Sequence, residues 1–212
     1  MQSIHPKAPS DRRAFPDPET SSVSISVPLV LKALKSFNNC LSGGLDCLRP
    51  QHLKDLVSIP TQADAVLSSI TQFINLLVRG ICPLSAIFFF FGGRSVAMAK
   101  KGGGVRPIAV DSVWRRLASK CALSLVFEEV KKVLHPLQLG VWVKGEVEAA
   151  IHSVRSLVNA LPDNWSLLKV DFINAFNTLR RDSLLEAVKS HCPGIYNYCL
   201  IAYGYRKYVI DL

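Results

Sequence analysis

The chain contains no long hydrophobic run: its longest purely apolar segment, residues 86–91, is the length of a single strand. A helix that crosses a bilayer needs about 20 apolar residues, so we expect no contact with a membrane. The first 22 residues also lack the apolar stretch of a secretory signal. We therefore expect an intracellular protein of the cytoplasm or the nucleus.

Several sequence signatures of cofactor sites are absent. The six cysteines include no Cys-x-x-Cys pair, so the usual zinc-site spacing is missing, and we expect free thiols, mostly buried, rather than disulfides. Neither the Gly-x-x-x-x-Gly-Lys-Ser/Thr loop of P-loop proteins nor the Gly-x-Gly-x-x-Gly turn of dinucleotide-binding proteins occurs. No two aspartates are adjacent anywhere in the chain.

What the chain does have is a large apolar fraction and an excess of positive charge. Its 212 residues are 49% hydrophobic, which is enough to build the core of one or two domains. The net charge is +9. Residues 100–132 hold eight Lys and Arg against three acidic residues, a local excess of +5. A solvated basic face is one explanation, and contact with the phosphates of a nucleic acid or a nucleotide is the other.

The order of local signals predicts a mainly helical chain. Residues 1–27 are rich in proline and charge and are predicted to form a flexible arm. Beyond the arm, apolar residues at helical spacing, with proline, serine or aspartate at the starts and glycine or proline at the ends, predict helices. They cover residues 28–37, 50–57, 63–79, 112–134, 146–161, 182–191 and much of 195–209. Residues 86–91 fit either a buried strand or the apolar end of a connector.

A basic glycine turn lies between two short apolar segments. Residues 94–99 and 105–110 are predicted to pair as a β-hairpin around three consecutive glycines, 102–104. Such a turn would present Lys100, Lys101 and Arg106 beside exposed backbone amides, a surface suited to a triphosphate or a nucleic-acid backbone. A solvated turn without a ligand is the alternative.

One carboxylate follows a predicted strand. Residues 165–170 form an apolar run interrupted by Ser166 and Lys169, which predicts a buried or half-buried strand, and Asp171 comes directly after it. An aspartate at this position is a favoured metal ligand, because the strand fixes the backbone while the turn exposes the side chain. By itself, an aspartate at a strand end is more often a turn former.

Four segments in order resemble one known family. They are SGGLDCLRPQHL (42–53), KKGGGVRPIAV (100–110), QLGVWVKG (138–145) and KVDFINAFNTL (169–179). The set is similar to the reverse transcriptase domain of non-LTR, LINE-type retrotransposons. The resemblance implies an α+β, partial right-hand polymerase fold, with mainly helical fingers and a small β-hairpin over residues 28–164 and an incomplete palm over residues 165–212.

The resemblance also implies roles for single residues. Asp171 would be the first catalytic aspartate of an RNA-directed DNA polymerase, a nucleotidyltransferase that uses Mg²⁺, and the Phe172 carbonyl would contact one ion. The other implied roles concern substrates: triphosphate binding by Arg106 with Lys100 or Lys101, a steric gate at Phe176 that selects dNTPs, and template contacts at Gln138 and Gly140. The implied partners are an RNA template, a DNA primer and dNTPs.

The sequence departs from the family in one respect. A palm needs a second acidic motif, usually an Asp-Asp pair, but only Asp182, Glu186 and Asp211 follow Asp171, and the first two are expected at a helix cap and on a helix surface. We therefore expect a truncated copy or fragment that is not active alone. A non-catalytic RNA- or DNA-binding remnant is the alternative, and an unrelated basic helical protein is a third possibility that the ordered motifs disfavour.

Overall fold

The computed structural model describes residues 10–20, 23–99, 101–138, 145–172, 175–205 and 209–211. Side-chain positions are described for these residues except 106, 107, 176, 177 and 209–211. Helices dominate, and a small sheet projects from them. Within the described ranges, no helix is long and apolar enough to cross a membrane.

The first half of the chain forms four helices and a hairpin. The elements are α1 (Val27–Lys35), α2 (Pro50–Leu56), α3 (Ala63–Val78), α4 (Leu84–Phe91), β1 (Gly93–Ala99) and β2 (Val105–Asp111). The predicted helices and the predicted hairpin are present here, with ends shifted by up to two residues. Residues 86–91, for which the sequence favoured a strand or a connector, belong to helix α4 instead. Ile87 and Phe91 lie one helical turn apart and are both buried, so one face of α4 packs against the core.

Helices also make up most of the regular structure in the described part of the second half, together with one short strand. It contains α5 (Val113–Leu125), α6 (Phe127–Leu134), α7 (Glu146–Asn159), α8 (Ala175–Thr178) and α9 (Arg181–His191), then a 3₁₀ turn (Pro193–Ile195), α10 (Tyr196–Cys199), a π-helical turn (Leu200–Gly204) and β3 (Val209–Asp211). The single helix predicted for residues 112–134 is divided into α5 and α6 at Val126, whose backbone leaves the helical region.

β1 is the central strand of the sheet. It pairs with β2 in antiparallel fashion along its whole length, from Gly93 opposite Asp111 to Ala99 opposite Val105. β3 pairs with β1 in parallel, but only over residues 93–95 of β1. The end of the hairpin that carries the turn is therefore paired on one side only.

The hydrophobic core lies where α1, α3 and α5 meet. Fully buried side chains at their contact include Leu34, Ile74 and Leu117. The core continues through α9 and α10, since Leu185, Tyr196 and residues 198–202 belong mostly to the same buried cluster. Among the described residues, this core is thus continuous across the boundary predicted between residues 164 and 165.

One buried tyrosine joins the C-terminal helices to α5. The hydroxyl of Tyr198 lies 2.6 Å from the hydroxyl of Ser119 and donates to the carbonyl of Arg115 at 3.1 Å. Burial raises the pKa of Tyr198, with the hydrogen bond from Ser119 acting in the opposite direction. The hydroxyl therefore stays protonated and keeps its role as a donor throughout the neutral pH range.

The described part of the N-terminal arm forms no helix or strand before α1, and it lies against the helices rather than apart from them. The backbone nitrogen of Arg13 donates to Asp182, Lys189 donates to the carbonyl of Asp17, and Tyr196 donates to the carbonyl of Pro16. Further along, the backbone of Ile25 exchanges hydrogen bonds with the side chain of Asn75. The described residues of the arm are therefore held by specific partners.

Asp182 is the carboxylate on which this docking centres. It was predicted as a helix cap, but it lies in the first turn of α9, is 3% exposed, and accepts hydrogen bonds from the Arg180 side chain, Arg13 and its neighbour Ser183. The hydrogen bond from Arg180 is the main reason why the pKa of Asp182 lies far below its usual range. Arg180 also pairs with Asp11 at 2.8 Å, which brings the arm to the same site.

Replacing Asp182 with Asn should destabilise the protein at neutral pH, because Asn removes the charge that Arg180 and Arg13 neutralise. A carboxylate whose folded pKa is depressed contributes stability above its unfolded pKa of about 3.9, and this stability is lost as the pH falls further. The difference between the parent and Asp182→Asn should therefore shrink below about pH 4. Urea unfolding across this pH range tests it.

The matched control is Glu186→Gln, since Glu186 also pairs with Arg13 but is more than half exposed. It should change the unfolding midpoint little at any pH. A constant difference between the parent and Asp182→Asn down to low pH would contradict the assigned role of the charge.

Leu77→Ala should lower the free energy of unfolding by about 2–5 kcal/mol, because Leu77 is fully buried in α3 and its removal leaves a cavity. The adjacent Leu76 is 43% exposed on the same helix and provides a control with the same chemical change. Leu76→Ala should have a much smaller effect. Equal effects of the two substitutions, measured by urea unfolding, would rule out the described orientation of α3.

Candidate nucleic-acid interface

The hairpin turn depends on two glycines with backbone conformations that other residues rarely adopt. Gly103 and Gly104 have φ values of +88° and +86°, and a Cβ added at either would meet no atom within 4 Å. Glycine is therefore favoured here by backbone strain and not by lack of space. The result is a tight turn whose backbone is open to solvent.

The hairpin projects from the helical core. Along β1, exposure rises from the buried Gly93 through the half-buried Arg94 and Ser95 to the exposed residues 96–99. Lys101 is exposed at the turn. Lys100 lies outside the described residues; the backbone of Arg106 pairs opposite Met98, but its side chain is also outside them. The structure therefore places the predicted basic segment on a protruding turn.

The base of the hairpin is fixed to α5. Ser112 is the predicted N-cap of this helix, and its hydroxyl accepts a hydrogen bond from the backbone nitrogen of Trp114 at 3.2 Å. One turn later, Arg115 donates to Asp111 at 2.7 Å and to the carbonyl of Phe91 at 3.2 Å. These bonds join the last residue of β2, the end of α4 and the first turn of α5, so the hairpin is anchored at its base.

The loop before α2 packs against the same base. A Cβ at Gly44 would lie 2.7 Å from the backbone of Ser112, and one at Gly43 would lie 2.5 Å from the carbonyl carbon of Cys47. Arg116 of α5 donates to the carbonyl of Ser42 at 3.2 Å. The first predicted motif, residues 42–53, therefore packs against the residues that follow the second motif, residues 100–110, although 46 residues (54–99) lie between the two motifs in the chain.

The predicted strand before Asp171 is wrong. Residues 165–172 form neither helix nor strand, and every one of them is exposed, including Trp165, Leu168 and Phe172. A strand requires a neighbour with which it exchanges backbone hydrogen bonds, and the described sheet consists of β1, β2 and β3 without this segment. The segment is rich in apolar residues, but an apolar pattern does not by itself provide a neighbouring strand with which to pair.

Among the residues that the structure describes, the other predicted site residues are not brought together. Asp171 and Phe172 are exposed, and within the described ranges no hydrogen bond or ion pair joins Asp171 to the hairpin. Gln138 is exposed after α6; Gly140 lies outside the described residues, and so does the side chain of Phe176. These assignments remain predictions.

The described residues do not provide a site for a pair of Mg²⁺ ions. They contain no group of three or more His, Cys, Asp or Glu side chains that could hold a metal. A two-metal site needs several carboxylate oxygens, because hard cations a few ångströms apart share oxygen ligands. Asp171 alone does not meet this requirement.

Sequence reasoning missed a second basic cluster, which surrounds the C-terminal end of α1. Lys54 donates to the carbonyl of Phe37 at 2.6 Å, and Lys120 donates to the hydroxyl of Ser36 at 2.9 Å. The ammonium of Lys120 and the guanidinium of Arg116 lie 4.9 and 5.2 Å from the centre of the Phe37 ring. Arg116 and Lys120 belong to the basic stretch 100–132, but Lys54 comes from α2, and the sequence does not show that these helices meet at Phe37.

Comparison with known proteins gives one informative similarity. No family model matches the chain. The chain is 37% identical over 91 residues to the retrotransposable element SLACS 132 kDa protein of Trypanosoma brucei gambiense. The match covers 43% of this chain and 7% of that much longer protein, so it concerns a small part of the relative. The similarity supports a retroelement origin for the chain.

Proposed function

We propose that the chain is part of the reverse transcriptase domain of a non-LTR retroelement and that its β1–β2 hairpin contacts nucleic acid. The observation that carries the proposal is the packing of the Gly43–Gly44 loop against the base of the hairpin. This contact brings the first of the resembling segments, residues 42–53, against Ser112, which closely follows the second, residues 100–110. The retroelement similarity supports the same assignment.

The hairpin has the properties that a backbone-binding surface needs. Its turn is exposed, carries Lys101, and leaves backbone amides accessible because glycine has no side chain. Lysine neutralises phosphate charge and releases condensed counterions, a contribution that is independent of base sequence. The anchored base limits the directions that the turn can take. We therefore expect binding to phosphates without marked sequence preference.

For the chain by itself, we favour nucleic-acid binding over catalysis. In the proposed complete enzyme, Asp171 and the Phe172 carbonyl would help hold Mg²⁺, with an RNA template, a DNA primer and dNTPs as substrates. The described residues supply a single exposed carboxylate at this place. This observation favours the second candidate function, a non-catalytic RNA- or DNA-binding segment, for the isolated chain.

The hairpin can be tested by removing the three positive charges at and beside its turn. Lys100→Gln, Lys101→Gln and Arg106→Gln together should weaken binding to single-stranded RNA and should reduce the slope of log affinity against log salt by about 2. Fluorescence anisotropy with a labelled RNA at several salt concentrations measures both quantities. The control variant carries Lys131→Gln, Lys132→Gln and Arg155→Gln, an equal change of charge on α6 and α7.

If the hairpin variant and the control lose affinity equally, net charge explains binding and the hairpin has no special role. If the parent does not bind RNA even at low salt, the proposed nucleic-acid contact is wrong.

The catalytic expectation is separate. With Mg²⁺, dNTPs and a primed RNA template, the isolated chain should not extend the primer, because one carboxylate does not hold a metal pair. The variant Asp171→Asn should bind RNA as the parent does. A primer-extension gel and the anisotropy assay check the two statements. Template-directed synthesis by the parent that is abolished in Asp171→Asn would show that the site is complete.

A further inference from the structure

The basic cluster at the end of α1 borders a groove between α1, α5 and α6. The groove encloses about 270 Å³ and is lined on one side by Lys32 and Ser36 and on the other by Lys120 and Ser124. Leu123 and Phe127 contribute apolar surface. Two ammonium groups and two hydroxyls thus border a partly apolar depression that is separate from the hairpin.

The positive charge around this groove is not neutralised by the protein. Lys32, Lys35, Lys54, Arg116 and Lys120 all lie near the C-terminal end of α1 or line its grooves. None of the ion pairs found among the described residues includes any of them. The partners of Lys54, Arg116 and Lys120 are instead uncharged: two backbone carbonyls, an amide oxygen, a hydroxyl and an aromatic ring, which leave the positive charge available to attract an anion.

The dipole of α1 explains only part of the cluster. Lys32 and Lys35 lie in the last turn of α1, where cations are favourable in any helix. Lys54 and Lys120 come from other elements, α2 and α5, and converge on Ser36 and Phe37. Like charges that gather from separate elements repel one another, so their convergence favours a surface that binds an anion.

The size and chemistry of the groove favour one unit of a polymer. Pockets for small organic ligands usually measure about 300–1,000 Å³, so this groove is at the lower limit. A nucleotide in a single strand presents a phosphate, which suits the two lysines, and a flat base, which suits the surface formed by Leu123 and Phe127. The hydroxyls of Ser36 and Ser124 already donate to the carbonyls of Ala33 and Lys120, so the lysines are the donors to the phosphate. An acidic peptide would use the lysines but not the apolar surface.

A second groove on α1 continues the basic surface. It encloses about 350 Å³ and is lined in part by Lys35 and Lys54. Asp64 also lines it, which makes it less suited to a phosphate than the first groove. Because cations border both grooves of the same helix, an extended strand could contact more than one of them.

We propose that the groove between α1 and α5 is a second binding site for single-stranded nucleic acid, in which Lys32 and Lys120 contact phosphates. The proposal rests on the nucleic-acid binding proposed above, but it concerns other residues and another face of the helices. It can therefore succeed or fail independently of the hairpin.

The test replaces both groove lysines with glutamine, Lys32→Gln with Lys120→Gln, which keeps most of each side chain and removes the charge. Affinity for single-stranded RNA at moderate salt should fall about tenfold, with a smaller salt slope than that of the parent. The control, Lys131→Gln with Lys132→Gln, makes the same change of charge on α6 outside the groove and should alter affinity much less. Thermal unfolding checks that both variants are folded.

Photocrosslinking locates the contact. RNA that contains a photoreactive uridine should crosslink to peptides of α1 or α5 in the parent, and these crosslinks should disappear in the groove variant while crosslinks to the hairpin remain. If the hairpin variant loses its crosslinks to the hairpin and keeps those to α1 or α5, this result would support two independent contacts.

Three results would overturn the inference. The groove variant could bind as tightly as its control, the groove peptides could fail to crosslink while the hairpin peptides do, or polyglutamate could compete as well as RNA of equal charge. In the first two cases RNA binding by the parent would still support the proposed function. RNA binding that depends on the groove but not on the hairpin would instead support this inference and contradict the role proposed for the hairpin.

Discussion

The close packing of α5 against α1, α3 and α4 is the constraint on which most of this structure depends. Leu117, Ala118, Cys121 and Ala122 on α5 are all buried, and small residues at three of these four positions allow neighbouring helices to approach closely. Burial also raises the pKa of Cys121 to about 11, so its thiol stays protonated and packs as a small apolar group. Because α5 begins directly after β2, the position of this helix also sets where the hairpin leaves the core.

Both proposed nucleic-acid contacts use α5, although they lie on different parts of it. Its first turn holds the base of the hairpin through Ser112 and Arg115. Farther along, Lys120 and Ser124 line the groove against α1. Because the helix is rigid, the hairpin and the groove stay at a fixed distance from each other. This distance would favour an extended nucleic-acid strand that reaches both places over a flexible peptide that reaches one. Two weak contacts on one strand bind more tightly than either alone when their spacing matches the strand.

The sequence predicted those parts of the fold that depend on local chemistry. Gly80 ends α3 with φ +82°, Ser112 caps α5, and the glycine turn joins β1 to β2, each as its residue type indicates. The failures concern long-range partners. Residues 165–170 had the composition of a strand, but the described sheet offers them no neighbouring strand. The two lysines that contact Phe37 come from α2 and α5, which the sequence does not place together. The position of Asp171 relative to a catalytic site depends on such partners too, which is why it stays a prediction.

The docked N-terminal arm has a consequence for the order of events during synthesis. Asp11 and its partner Arg180 are separated by 169 residues, and Arg13 and Ser183 by 170. At a translation rate of about 5–20 residues per second, the arm therefore waits roughly 10–30 s before its binding site on α9 emerges from the ribosome. The helices α1 to α5 have their own contacts and can associate earlier. Attachment of the arm therefore follows the association of α1 to α5, and until it occurs the surfaces of α9 and α10 that it covers remain open to other proteins.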